Sequence, residues 1–170
     1  VSKAQVKNLK EYGLPDMFTM TATVNLANIV SGGKVAYAFG LKDQNALGED
    51  GSAEIAFTYE DGIYLEVNEY KNGSVQAFVA KQKYSLLSLN TDVDVTLKVT
   101  SGGKIYLTLF CNGNEIKVLS GKPLTIDPQG SIGVFSVSNE SEKNKFTVAD
   151  METLAYIYET PLTVDSYTET

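Results

Sequence analysis

Tyr64, Glu66, Asn68 and Tyr70 occupy alternate positions of one predicted strand and combine two aromatic rings, a carboxylate and an amide. Residues i and i+2 of a strand face the same way, about 7 Å apart. The four therefore form a line, with Ile63, Leu65 and Val67 turned inward behind them. The next hairpin strand offers Gln76 and Phe78 opposite Val75, Ala77 and Val79, and a later strand offers Tyr106 and Phe110 opposite Ile105, Leu107 and Leu109. Aromatic faces stack on the C–H side of pyranose rings, while amides and carboxylates bond to hydroxyls, so a sheet face of this composition suits a carbohydrate. A second reading needs no ligand: aromatic cross-strand pairs stabilise a sheet by roughly 0.2–1 kcal/mol each, and in a sandwich one such face is the core.

The carboxylates are placed less suggestively. Glycoside hydrolysis needs two carboxyl groups about 5 to 9 Å apart across the scissile bond. Glu66 and Glu69 are three positions apart and point to opposite faces. Asp92 and Asp94 alternate, but at a strand edge beside a loop. Asp150 and Glu152 also alternate. Each pair reads as solvated surface charge, and no catalytic residue is assigned. Asp43, Asn45 and Asp50 place hard oxygen ligands in a Gly-containing loop, the donor type that calcium takes about six to eight of. Their spacing is not that of an EF-hand, and a solvated turn has the same composition.

What is missing excludes more. All 14 basic residues are Lys, and the chain has no His and no Trp. Without His, the commonest general base and metal ligand is absent, and zinc has few ligands to choose from. Without Arg, no planar fork clamps a phosphate or an acidic sugar. The formal net charge of −7 opposes nucleic acid and anionic lipid. Cys111, the single cysteine, sits in an apolar alternating run and reads as a buried, inert thiol. No apolar run approaches the roughly 18 residues of a membrane span.

Hydrophobic alternation runs through nearly all of the chain. Phe18, Met20, Ala22, Val24 and Leu26 alternate with Thr19, Thr21, Thr23 and Asn25. Val35, Tyr37, Phe39 and Leu41 are backed by Ala36, Ala38 and Gly40, a face of small residues that something can lie close over. Asp61-Gly62, Asn72-Gly73 and Asn112-Gly113 mark hairpins, and type I′ geometry is expected at Asp61-Gly62. About eleven strands result, with Ala4–Tyr12 as the first and Phe146–Ile157 as the last, and no convincing helix. The fold class is all-β, a two-sheet antiparallel sandwich. Residues 1–159 read as one domain, and 160–170, polar and Thr-rich after Pro161, as a linker-like tail. A chain opening on Val1 suggests a processed product or an excised module.

The order of these strands resembles the concanavalin A-like lectin/glucanase superfamily, which includes laminin-G-like domains and carbohydrate-binding modules. Phe18-Thr-Met-Thr-Ala-Thr-Val24 resembles its opening core strand, and Lys34-Val-Ala-Tyr-Ala-Phe-Gly40 the strand after it. The stretch from Val95 through Ser101-Gly-Gly103 to Asn112-Gly113 resembles its central hairpin. Gly130–Phe135 with Phe146–Met151 resembles its closing pair. The resemblance implies a jelly roll with one concave sheet. It also implies a structural calcium in many members, for which Asp150 joins Asp43, Asn45 and Asp50 as a candidate ligand. Hydrolases of the superfamily carry Glu, Asp and Glu on alternate positions of one strand, a triple this chain lacks. Fold alone does not choose among lectin, spacer and enzyme.

The reading favoured is a non-catalytic carbohydrate-binding module of a larger secreted or cell-surface protein. Its partners would be a neutral oligo- or polysaccharide and further domains of the same polypeptide, with no nucleic acid. The ligand-binding set is Tyr64, Glu66, Asn68, Tyr70, Gln76, Phe78 and Tyr106. The alternative is a structural or adhesive sandwich domain that binds protein or acts as a spacer; an enzyme ranks third.

Overall fold

The computed structural model describes residues 2–8, 18–41, 48, 50–89, 91–100, 103–126, 131–137, 144–149 and 156–161. Strands dominate them: β1 (Ser2–Asn8), β2 (Phe18–Val24), β3 (Lys34–Leu41), β4 (Ala53–Tyr59), β5 (Ile63–Lys71), β6 (Ser74–Lys83), β7 (Val93–Val99), β8 (Lys104–Cys111), β9 (Asn114–Pro123), β10 (Ser131–Val137), β11 (Lys145–Ala149) and β12 (Tyr156–Pro161). They form two six-stranded antiparallel sheets, ordered β1-β10-β3-β4-β5-β6 and β12-β11-β2-β7-β8-β9. The last run of the sequence is thus two strands, with β11 and β12 paired against each other.

Alternation decides which side chains meet between the sheets. In the first sheet Tyr37, Ile55 and Val67 are successive cross-strand partners, and in the second Met20, Leu97 and Leu107 are. All six are fully buried, and burying a large apolar side chain contributes about 1.5–3 kcal/mol. Phe18 and Phe39 meet across the interface edge to face, centroids 6.1 Å apart at 71°, a favoured aromatic geometry. Tyr37 donates its hydroxyl hydrogen to the Thr23 carbonyl at 3.4 Å, and burial pushes its pKa far up. Cys111 is buried, and burial raises its pKa too.

Turn chemistry divides in two. Asn72 and Gly73 (φ 54° and 75°) and Asn112 and Gly113 (φ 50° and 78°) adopt positive φ at both central positions, as a type I′ hairpin demands. Asp61-Gly62 does not: neither residue has positive φ, which corrects the type I′ expectation there. Tyr59 pairs with Ile63, leaving a three-residue loop closed by Glu60 N–H donating to Gly62 O at 3.0 Å. Asp61 instead accepts the Tyr64 hydroxyl at 2.6 Å.

The small-residue face of β3 is the outer face of the first sheet. Ala36 and Ala38 are buried there. Phe135, the partner of Ala36 on β10, is buried on the same side, so a large ring stands beside the space that an alanine leaves.

Candidate functional site

β5 positions the predicted line as expected. Ile63, Leu65 and Val67 are buried in the core, while Tyr64, Glu66, Asn68 and Tyr70 alternate onto the outer face of the first sheet. There Asn68 is buried and the other three are half-buried. Asn68 lies opposite Glu54 of β4, and its Nδ2 donates to Glu54 Oε2 at 3.1 Å and to Glu66 Oε1 at 3.0 Å. One amide thereby ties a cross-strand carboxylate to one two residues away on its own strand.

Glu54 is the functional candidate that reading β5 alone overlooks. It is 1% exposed. Its Oε2 also accepts from Lys34 Nζ at 3.3 Å, and its Oε1 has no hydrogen-bond partner among the described residues. Lys34 starts two residue pairs away, opposite Thr58, and the pair between is Ala36–Ala56. Two small side chains leave the long lysine stem room to lie along the sheet and bring its ammonium to Glu54. In the sequence only its alternation with Ala56 is visible; that it faces Ala38 follows from the β3–β4 register.

The electrostatics follow from this packing. Burial, and then the nearby Glu54 carboxylate, push the Tyr70 hydroxyl well above the usual tyrosine range, with Glu66 adding to the shift. Tyr70 therefore stays protonated. At the other end of β5 the hydrogen bond from Tyr64 holds Asp61 below the ordinary carboxylate range. The same bond raises Tyr64. Lys81 stands 5.2 Å from the Tyr64 ring centroid and pairs with Glu60.

The other three residues of the predicted set are not brought to this face. Gln76 pairs with Glu69, which alternates to the inner side of β5; both Glu69 oxygens accept from Thr125, N at 2.7 Å and Oγ1 at 3.1 Å. Paired residues share a face, so Gln76 stands exposed on the far side of the edge strand. Phe78 belongs to the core, 6% exposed. β5–β6 pairing passes from Val67–Val79 to Asn68–Ala77, so Phe78 is the extra residue of a β-bulge and turns inward. Lys122 of β9 lies over its ring at 4.3 Å and donates to its carbonyl at 2.7 Å. Tyr106 lies on the outer face of the second sheet.

Of the candidate calcium ligands, Asp43, Asn45 and Asp150 lie outside the described residues. Asp50 uses Oδ1 to accept Gly73 N–H at 2.8 Å, which caps the Asn72-Gly73 turn. Among the described residues no three acidic or Cys side chains group as metal ligands would. Asp92 and Asp94 are engaged separately, by Asn25 Nδ2 at 2.8 Å and Thr23 Oγ1 at 3.3 Å. No described helix is long and apolar enough to cross a membrane.

No protein-family model matches the chain, and no curated protein matches it by sequence. Solved structures match it by shape. Tailspike protein 2 of an Escherichia coli O157:H7 bacteriophage aligns over 88% of this chain with a TM-score of 0.58 and 14% identity, and the chain spans 24% of that protein's length. The legume lectin-like domain from Entamoeba histolytica aligns over 86% of this chain and 76% of its own, with a TM-score of 0.53 and 13% identity. The CBM2 module of the evolved Dit protein of Lactobacillus casei phage J-1 aligns over 86% and 66%, with a TM-score of 0.52 and 12% identity. At such identities the likeness is one of fold alone, a two-sheet antiparallel jelly-roll sandwich.

Proposed function

We propose that this chain is a non-catalytic carbohydrate-binding module of a larger secreted or cell-surface protein, and that a neutral oligo- or polysaccharide lies across β5 on the outer face of the first sheet. The observation that carries the proposal is the Glu54–Asn68–Glu66 chain, flanked by Tyr64 and Tyr70. Asn68 fixes the orientation of Glu66, whose second oxygen faces no described partner, and carboxylate acceptors of this kind pair with sugar hydroxyls. Two half-buried tyrosines on the same line add apolar faces for pyranose rings. Two carboxylates against one ammonium repel an acidic sugar, which favours a neutral one. Glu54 and Glu66 are near enough to act as a hydrolytic pair, but Glu54 is sealed from solvent and engaged by Lys34. That supports binding over turnover. The folds that this chain resembles include lectin-like and carbohydrate-binding domains, which agrees with the proposal.

A glycan array followed by calorimetry on neutral oligosaccharides tests it. Binding that falls about tenfold or more in Glu66→Gln and in Asn68→Ala, with the fold intact, is the expected result. Silence across plant, microbial and host glycans sinks the proposal.

A further inference from the structure

The second sheet has an outer face of different chemistry, and we propose that it holds a separate site for a carboxylated, uronate-type saccharide. Thr96 and Lys98 of β7, Tyr106 and Thr108 of β8, and Lys117 and Ser120 of β9 line a shallow pocket of about 200 Å³. They form two adjacent cross-strand rows, Lys98–Tyr106–Ser120 and Thr96–Thr108–Lys117.

Three features make this more than a polar surface. First, its platform is fixed. Gly121 has φ +92°, and a Cβ built on it would lie 3.1–3.3 Å from Oη, Cζ and Cε2 of Tyr106. The ring therefore rests on bare backbone, yet is 37% exposed. An aromatic held in place loses little entropy when a sugar stacks on it. Second, its charge runs against that of the chain. In a protein of net charge −7, the charged residues of the lining are two lysines. Lys98 has no ion pair among the described residues, and the pair of Lys117 with Glu115 is loose, 4.0 Å between side chains that are 73% and 56% exposed. The outward carboxylates Asp94 and Glu115 are displaced to the next row, on either side of Phe110. Third, apart from Leu119 the remaining lining is hydroxyl. Thr96, Thr108 and Ser120 donate and accept, as a sugar ring's own hydroxyls require. A stacking ring, hydroxyl partners and two ammoniums together select a ring that carries a carboxylate; an inorganic anion has no use for the tyrosine.

This site shares no residue with the one proposed on the first sheet, so either can fail alone. The experiment is calorimetric titration of the whole chain with a galacturonate oligomer, beside its methyl ester, which has the same shape without the charge. We expect the acid to bind and the ester to bind about tenfold more weakly or not at all. Affinity for the acid should fall as salt rises from about 50 to 300 mM, and drop about tenfold or more in Lys98→Gln/Lys117→Gln, while Glu66→Gln leaves it unchanged. Equal binding of acid and ester, full affinity in a folded double-lysine variant, or no binding of the acid at millimolar concentration overturns the proposal. So does loss of binding in Glu66→Gln, which would place the acid on the first sheet.

Discussion

The two outer faces of the sandwich are built on the same alternation and treat their charges in opposite ways. On the first sheet Glu54 is buried against Ala36, Ala56 and the stem of Lys34, and its charge is met by an amide and an ammonium. On the second, Lys98 and Lys117 are exposed and uncommitted or nearly so. The difference lies in the neighbours. Alanine partners let a long side chain lie along the sheet and exclude water, whereas Lys98 has Thr19 and Tyr106 beside it and Lys117 has Thr108. A charge laid down is part of the fold; a charge left standing is available to a ligand.

Substitutions should separate the faces. The largest effect is expected where sequence pattern and structure disagree. Phe78→Ala, which empties a core position, should cost about 3 kcal/mol, while Tyr106→Ala on the open face should cost under about 1 kcal/mol; urea denaturation measures both. Next comes Lys34→Met, which leaves the buried Glu54 carboxylate short of its cation. Because Lys34 keeps a quarter of its side chain exposed, the loss should be about 2 kcal/mol rather than the larger figure for a fully buried pair. Lys98→Met should stay within about 0.5 kcal/mol. Equal losses from the two lysine variants would erase the distinction between the faces.

Gly121→Ala should cost about 1–2 kcal/mol, because it strains a positive φ and meets the Tyr106 ring. Gly73→Ala, also at positive φ but with open space around it, isolates the backbone part of that cost. The smallest effect is electrostatic. The Tyr64–Asp61 bond lowers Asp61 and raises Tyr64. Its stabilisation is thus present above the ordinary aspartate pKa and lost as pH falls through the lowered Asp61 value. At the alkaline end it is present below the ordinary tyrosine pKa and lost as pH rises through the raised Tyr64 value. The Asp61 carboxylate is exposed, so global stability should barely register it. Asp61→Asn should instead bring the Tyr64 titration, followed by NMR, back down toward the ordinary tyrosine range, about 10.

Much of the fold was legible because period-2 burial is a local signal. The β5 line and the inward sets of β2, β7 and β8 can be counted off the sequence. What escaped it was set by long-range pairing. A single extra residue at Phe78 flips the face of everything near it, and no local pattern announces which residue a partner strand will skip. Tyr106 was grouped with the β5 line because alternation tells outward from inward but not one sheet from the other. Glu54 was passed over because its role depends on Lys34, twenty positions earlier and reachable only across two alanines. The Asp61-Gly62 turn carried the right residue types, but Tyr59–Ile63 pairing left three residues to close it, not two.

The bulge at Phe78 has a consequence for company as well as for shape. β6 and β9 are the outermost strands of their sheets on the same rim, where unpaired backbone invites another chain to add a strand. The bulge breaks the straight run of β6. Lys122 reaches across the rim from β9 to occupy the Phe78 carbonyl, and Lys81 and Lys83 stand exposed further along the same strand. A crowded neighbour seeking an edge to zip onto finds it bent and plugged, which disfavours the fusion of two sandwiches into a common sheet.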